Sequence, residues 1–210
     1  LMRWSAPFND AAEEVFKAEH RIQMTMWGEQ DGMLMVYQRE RMKRWRYVWL
    51  LDVDKGTSKQ WFDLDENDRY NDPGYPLFTM LDNGKYVFKV TDGSMYFRGR
   101  GGTKEGDRPF VDRRHTEADE VERIFRSAQG KYEYFVGFGK NENEFIMSSE
   151  ASTIVPNFYL ASLGATVEAE PGEAVRKLSM SPITNFKDPS PELRDITNEI
   201  VRYKRDDGVE

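Results

Sequence analysis

The sequence predicts an all-β fold of short antiparallel strands in up-and-down order, with one four-stranded pattern written about three times. Three observations carry this. Apolar–polar alternations and short apolar runs recur along the chain, the spacing of half-buried strands. Turn residues (Gly, Asn, Asp) punctuate them at short intervals. Aromatic residues make up 13% of the 210 residues and are spread throughout, as in a folded β-rich chain and unlike a disordered one.

Near the start, residues 8–19 are the one helix-like stretch. Asn9 or Asp10 stands where a cap would, and Glu13 and Glu14 suit a first turn. The same residues also read as an irregular connection from a preceding module. The first four-stranded unit follows. Gln23–Trp27 alternates, Gly28–Gly32 turns, Met33–Gln38 is an apolar strand, and a charged tip leads into Arg46–Val53. Asp54-Lys55-Gly56 turns again before Ser58–Phe62. A second unit has strands at Leu77–Met80, Tyr86–Val90 and Met95–Arg98, with turns at Asp82-Asn83-Gly84 and Asp92-Gly93. A long glycine-rich loop from Gly99 to Asp107 then precedes Pro109–Arg114 and Val121–Phe125. The third unit has Tyr134–Gly137, a turn at Lys140–Asn143, then Glu144–Ser149, Asn157–Leu163 and a closing strand at Ala174–Leu178.

The units start near residues 24, 77 and 133, about fifty to fifty-six residues apart. Four-stranded units at roughly this period are the pattern of β-propeller blades, which must stack on neighbours to bury their faces. A β-sandwich with fortuitous spacing is the alternative. The expected organisation is a connection from a preceding blade over residues 1–23, about three blades of a partial propeller over 24–180, and a linker with the start of a further strand over 181–210. In that tail Pro182, Pro189 and Pro191 have loop composition, and Asp188–Asn198 has room for one helical turn. The final strand is expected from Glu199 or Ile200. Asp207-Gly208 is a hairpin signal whose returning strand is cut short, so a piece of a larger protein is expected.

The formal charge is −7, with 30 basic and 37 acidic residues. This argues against nucleic acid as a partner, which needs a concentrated basic surface. The one basic cluster (Arg39, Arg41, Lys43, Arg44, Arg46) reads as the solvated tip of a hairpin. The apolar runs are too short for a transmembrane helix, so no membrane span is expected. Cysteine is absent, excluding disulfides and thiolate chemistry, and two histidines are too few for a multi-histidine metal site. No cofactor is implied. The sequence has no Gly-x-Ser-x-Gly elbow, phosphate-binding loop, dinucleotide fingerprint or zinc-binding helix motif. Asp65-Glu66-Asn67-Asp68 lacks the ligand spacing of a calcium loop and reads as a solvated turn. His115, in a polar loop, reads as a surface histidine. Two segments stand out: the polar turn Asp68–Gly74 and the loop Gly99–Phe110. The loop has two readings. In one it is a wide connection whose Arg108 pairs with Asp107 or another carboxylate. In the other its arginines face an anionic ligand at a propeller's mouth.

Four motifs in order, DRYNDPG at 68–74, EGDRPFVD at 105–112, PNFYL at 156–160 and VRYKRDDGV at 201–209, give a resemblance to the propeller of prolyl oligopeptidase-family serine peptidases. The glutamyl endopeptidase branch is the nearest in pattern, and the resemblance covers nearly all of residues 20–210. It implies a parent with a Ser-Asp-His triad in an α/β-hydrolase domain C-terminal to Glu210, so no catalytic residue falls on this chain. It also implies a propeller that restricts entry to peptides and contributes substrate-binding side chains, for which Arg108, Arg98 and Arg100 are the candidates.

The function so expected is a non-catalytic propeller fragment of a serine peptidase that gates peptide access. Its partners would be the parent's hydrolase domain and peptide substrates. The alternative is a free-standing β-rich binding or scaffold module. Localisation stays open. Self-association of the isolated chain is expected through exposed blade faces and edges, around Met24, Met26, Met33, Met35, Trp45, Trp49, Trp61, Val201 and Tyr203.

Overall fold

Strand-forming alternation dominates the chain, and the computed structural model follows it. The structure describes residues 1–196, 199 and 201–208. Among these, regular structure consists of nineteen β-strands and one 3₁₀ turn at Pro191–Leu193. No helix among the described residues is long and apolar enough to cross a membrane. In chain order the strands are β1 (Met2–Arg3), β2 (Glu13–Glu14), β3 (Arg21–Trp27), β4 (Met33–Glu40), β5 (Trp45–Asp52) and β6 (Thr57–Asp65). Then come β7 (Tyr75–Pro76), β8 (Phe78–Met80), β9 (Tyr86–Phe88), β10 (Val90–Thr91), β11 (Ser94–Gly99), β12 (Gly102–Thr103) and β13 (Gly106–Asp107). The rest are β14 (Phe110–His115), β15 (Val121–Arg126), β16 (Lys131–Phe138), β17 (Glu144–Ala151), β18 (Ile154–Glu170) and β19 (Glu173–Pro182). The chain divides into two compact units, Leu1–Gly99 with Asp112–Glu122, and Arg100–Val111 with Arg123–Glu210.

In the first unit, β3-β4-β5-β6 form an antiparallel up-and-down sheet. Its second strand is apolar on both sides, so the sheet buries both faces. Met35 and Tyr37 join Val48, Leu50, Phe88, Val90, Met95 and Phe97 in one cluster. Leu34 and Val36, one step out of phase, join Phe16, Leu51 and Val53 in another. Successive strand residues point to opposite faces, which is why one run of sequence feeds two cores. Phe88 and Phe97 are fully buried, each worth about 1.5–3 kcal/mol of transfer free energy.

The expected second unit is split. Phe78–Met80 and Tyr86–Phe88 make a hairpin of their own. The hairpin extends by one further bond, from the Lys89 N–H to the Leu77 carbonyl at 2.9 Å. Val90–Thr91 then pairs with β11, and β7 pairs with β11 as well. In the second unit, β16-β17-β18-β19 form the other four-stranded antiparallel sheet. Phe135, Phe138 and Phe145 meet edge-to-face at its centre, with centroids 5.1–5.7 Å apart. The fold is thus all-β with several antiparallel sheets, none closed among the described residues.

Other expectations are corrected. Residues 8–19 hold no helix: Glu13 and Glu14 pair with Arg3 and Met2 instead. Glu66 is not in a solvated turn. Its carboxylate is buried and accepts from Arg39 (2.6 and 2.8 Å) and Arg46 (3.5 Å), which face each other across the β4–β5 ladder. Of the basic cluster, Arg41, Lys43 and Arg44 are exposed and Arg39 and Arg46 are half-buried. Met35, expected on an exposed face, is buried, and Met26, Met33 and Trp61 pack against the core. In the tail, Val201–Arg205 form no strand, and the Gly208 N–H donates to the Arg205 carbonyl in a turn. Ile200, Val209 and Asn198 lie outside the described residues. The one helical turn expected within 188–198 is the 3₁₀ turn at Pro191–Leu193.

Tyr37 supplies a stability test. Its phenol is pushed upward in pKa, first by burial, with Arg46 acting the other way. Its hydroxyl is buried without a hydrogen-bond partner among the described residues. An unsatisfied buried hydroxyl costs about 1–3 kcal/mol, and the ring makes the same packing without it. Tyr37→Phe is therefore expected to leave stability unchanged or raise it by about 1 kcal/mol in urea denaturation. A loss above about 1 kcal/mol would mean that the hydroxyl is bonded.

Candidate functional site

Arg108 lies just after a tight hairpin. β12 and β13 pair as Gly102↔Asp107 and Thr103↔Gly106, and the Thr103 hydroxyl donates to the Gly106 carbonyl at 2.8 Å. The Arg108 N–H closes the hairpin on the Gly101 carbonyl at 2.8 Å. Its side chain is fixed at two points. Nε donates to the Ser127 carbonyl at 3.0 Å, and Nη1 donates to Glu170 Oε1 at 2.6 Å. The Arg108 guanidinium holds the Glu170 carboxyl below its ordinary range.

Glu170 is delivered from a distance. β18 pairs with β17 only as far as Ser162. Leu163 still donates to the Asn143 carbonyl at 2.8 Å; beyond it the strand pairs with β19 alone, so the hairpin leaves the sheet as an exposed two-stranded ribbon. Its tip is Glu170-Pro171-Gly172-Glu173, with Gly172 at φ +79° (a Pro-Gly turn in which glycine takes the left-handed position). On the far side of the tip, Glu173 Oε1 accepts from Arg123 Nη1 at 2.9 Å and from Arg126 Nη1 at 2.7 Å. Arg123 also stacks over the Phe110 ring, 4.3 Å from its centroid. Three arginines of the second unit thus meet two carboxylates of the ribbon tip.

Beside this cluster runs an open groove of about 720 Å³, lined by Arg108, Glu170, Lys131, Tyr132, Glu105 and Glu150 among others. The Tyr132 phenol is pushed upward, first by burial, with Arg100 opposing. Groups that could hold a metal ion, three or more acidic or histidine side chains together, are absent among the described residues.

The sequence candidates fare differently. Arg108 is in the groove and paired with a carboxylate, as one of its two readings required, but the carboxylate is Glu170. Arg100 is exposed, in the second unit. Arg98 is half-buried on β11 in the first. His115 is half-buried, and its Nδ1 accepts the backbone N–H groups of Glu117 and Ala118 at 3.1 and 2.9 Å, which orients the ring. Sequence reasoning missed Arg123, Arg126, Glu170 and Glu173. The one available signal was the Glu-Pro-Gly-Glu turn inside an apolar–polar alternation.

No family model matches the chain. Two curated proteins do. One, from Oryza sativa subsp. japonica, is named "Probable glutamyl endopeptidase, chloroplastic"; it is 27% identical over 227 aligned residues, covering 100% of this chain and 23% of that protein. The other, from Arabidopsis thaliana and of the same name, is 27% identical over 209 residues, covering 94% of this chain and 21% of that protein. The chain therefore spans less than a quarter of the length of these relatives. The first alignment covers the whole chain, both units and all the quoted motifs, so the chain is similar along its whole length to probable glutamyl endopeptidases, which are peptidases of the prolyl oligopeptidase family.

Proposed function

We propose that the chain is a non-catalytic propeller segment of a glutamyl endopeptidase-like serine peptidase, and that it restricts peptide access to a catalytic α/β-hydrolase domain. The observation that carries this is the whole-chain relationship to peptidases more than four times as long. Two features support it. Four-stranded up-and-down sheets recur at β3–β6 and β16–β19, with a β-rich stretch between them. The sequence also lacks an elbow serine of its own. In this reading Arg108, with Arg98 and Arg100 as further candidates, contacts an acidic substrate side chain, because a guanidinium matches a carboxylate with a planar fork of donors.

The test has two arms. The 210-residue chain should neither label with a fluorophosphonate probe nor cleave fluorogenic peptides, whereas the protein encoded by the whole reading frame should do both. In that protein Arg108→Ala should lower kcat/KM for glutamyl substrates by at least ten-fold more than for neutral ones. Labelling of the short chain, or an equal loss for both substrate classes, contradicts the respective arm.

A further inference from the structure

The ribbon tip is an unusual ion-pair partner. A two-stranded ribbon outside its sheet is marginal alone, and residues 164–172 are exposed throughout. The ribbon leaves the sheet at a bulge, where Gly164 and Ala165 stand opposite the single residue Lys177. A bulge bends and weakens the ladder locally. The contacts at its tip are one-sided. Glu173 uses Oε1 for both arginines, while its Oε2, like Arg126 Nε, is buried without a hydrogen-bond partner among the described residues. A carboxylate settled in a dedicated structural site would use both oxygens, since unpaired buried polar atoms are costly. Two of the three arginines are also held independently of the ribbon, Arg108 by the Ser127 carbonyl and Arg123 by the Phe110 ring, whereas Arg126 is held by Glu173. Arg108 and Arg123 would keep their positions if the tip withdrew.

We propose that Arg108, Arg123 and Arg126 form a binding site for a side-chain carboxylate of a peptide, filled in this structure from within by Glu170 and Glu173 of the β18–β19 ribbon. Three guanidinium groups facing two carboxylates leave the cluster cationic, so an incoming glutamyl or aspartyl side chain competes on equal chemical terms. The groove beside Arg108 gives an extended peptide room. Its other walls carry Glu105, Asp107 and Glu150 with Lys131, which disfavours polyanions and selects a ligand with one carboxylate. The inference rests on the peptide-contacting role given to Arg108 above, and it makes the ribbon a displaceable plug that sets the affinity.

The test uses the 210-residue chain and acetyl-Ala-Ala-Glu-Ala-Ala-amide, with its Gln counterpart as control. In chemical-shift titrations the Glu170→Gln/Glu173→Gln double variant should bind the Glu peptide at least ten-fold more tightly than the wild type. The Gln peptide should show no gain, and adding Arg126→Gln should remove it. Affinities within two-fold of each other, or an equal gain for the Gln peptide, overturn the proposal. A second readout needs no variant: in the wild type, millimolar Glu peptide should speed hydrogen exchange of the amides of 166–176, and the Gln peptide should not. Unchanged exchange at saturating Glu peptide equally overturns it. If Arg108→Ala costs glutamyl selectivity in the longer protein but the ribbon is never released, the proposed function stands and only this inference falls.

Discussion

Phe97→Ala is expected to cost about 3–5 kcal/mol, close to the whole stability of a small domain. Phe97 is fully buried. Its ring meets Trp61 at 5.5 Å and Phe62 at 6.1 Å, both edge-on, and Arg114 lies over its face at 5.8 Å. Truncation removes the transfer energy of a phenyl ring and leaves a cavity among Trp61, Phe62 and Arg114. Phe78, on the neighbouring hairpin, is 42% exposed, and its alanine variant should cost less than about 1 kcal/mol. Urea denaturation followed by tryptophan fluorescence would measure both. A loss below about 1.5 kcal/mol for Phe97→Ala would show that the first unit repacks around the site.

What was legible in the sequence follows from which interactions are local. β4 and β5 were read to within one or two residues because Met33–Gln38 and Tyr47–Leu51 are dense apolar runs bounded by turns. Ladder pairing then follows from the turns alone, as at Asp54-Lys55-Gly56. The helix expected over 8–19 failed because Glu13 and Glu14 mark a first helical turn only when an apolar stripe follows. Here Phe16 instead reaches the core beneath β4 and β5. Glu66 was misread for a different reason. A carboxylate clamped by two arginines looks, in sequence, the same as one in solvent, and the difference lies in the ladder that sets Arg39 against Arg46.

The site was half legible by the same logic. Arg108 stood out because glycines crowd the loop before it. Its partner Glu170 is 62 residues away, at the tip of a ribbon whose small residues alternate as a strand would, but no pattern in a single sequence says where that tip lands. Arg123 and Arg126 sit in β15, whose alternation could be read, but nothing in a single sequence says that both arginines converge on one carboxylate.

Gly101→Ala is expected to cost at least about 3 kcal/mol and to loosen the ion pair at Arg108. Gly101 has φ +62°, and a Cβ built on it would lie 2.0 Å from the Arg108 carbonyl oxygen and 2.9 Å from its carbon. That neighbour is backbone and cannot swing aside as a side-chain end would. The two residues also exchange the Arg108 N–H to Gly101 carbonyl bond at 2.8 Å, so relief of the clash opens the base of the β12–β13 hairpin. Gly172 is the control. It has a similar φ of +79° with nothing within 4 Å of the added carbon, so Gly172→Ala carries only the left-handed strain of about 1–2 kcal/mol. The difference between the two variants isolates the backbone contact. Denaturation midpoints give the stabilities, and the exchange rate of the Arg108 amide reports the hairpin directly. Equal costs for both alanines, with the Arg108 amide still protected, would mean that residues 101 and 108 separate without penalty and that Arg108 is not held by its hairpin.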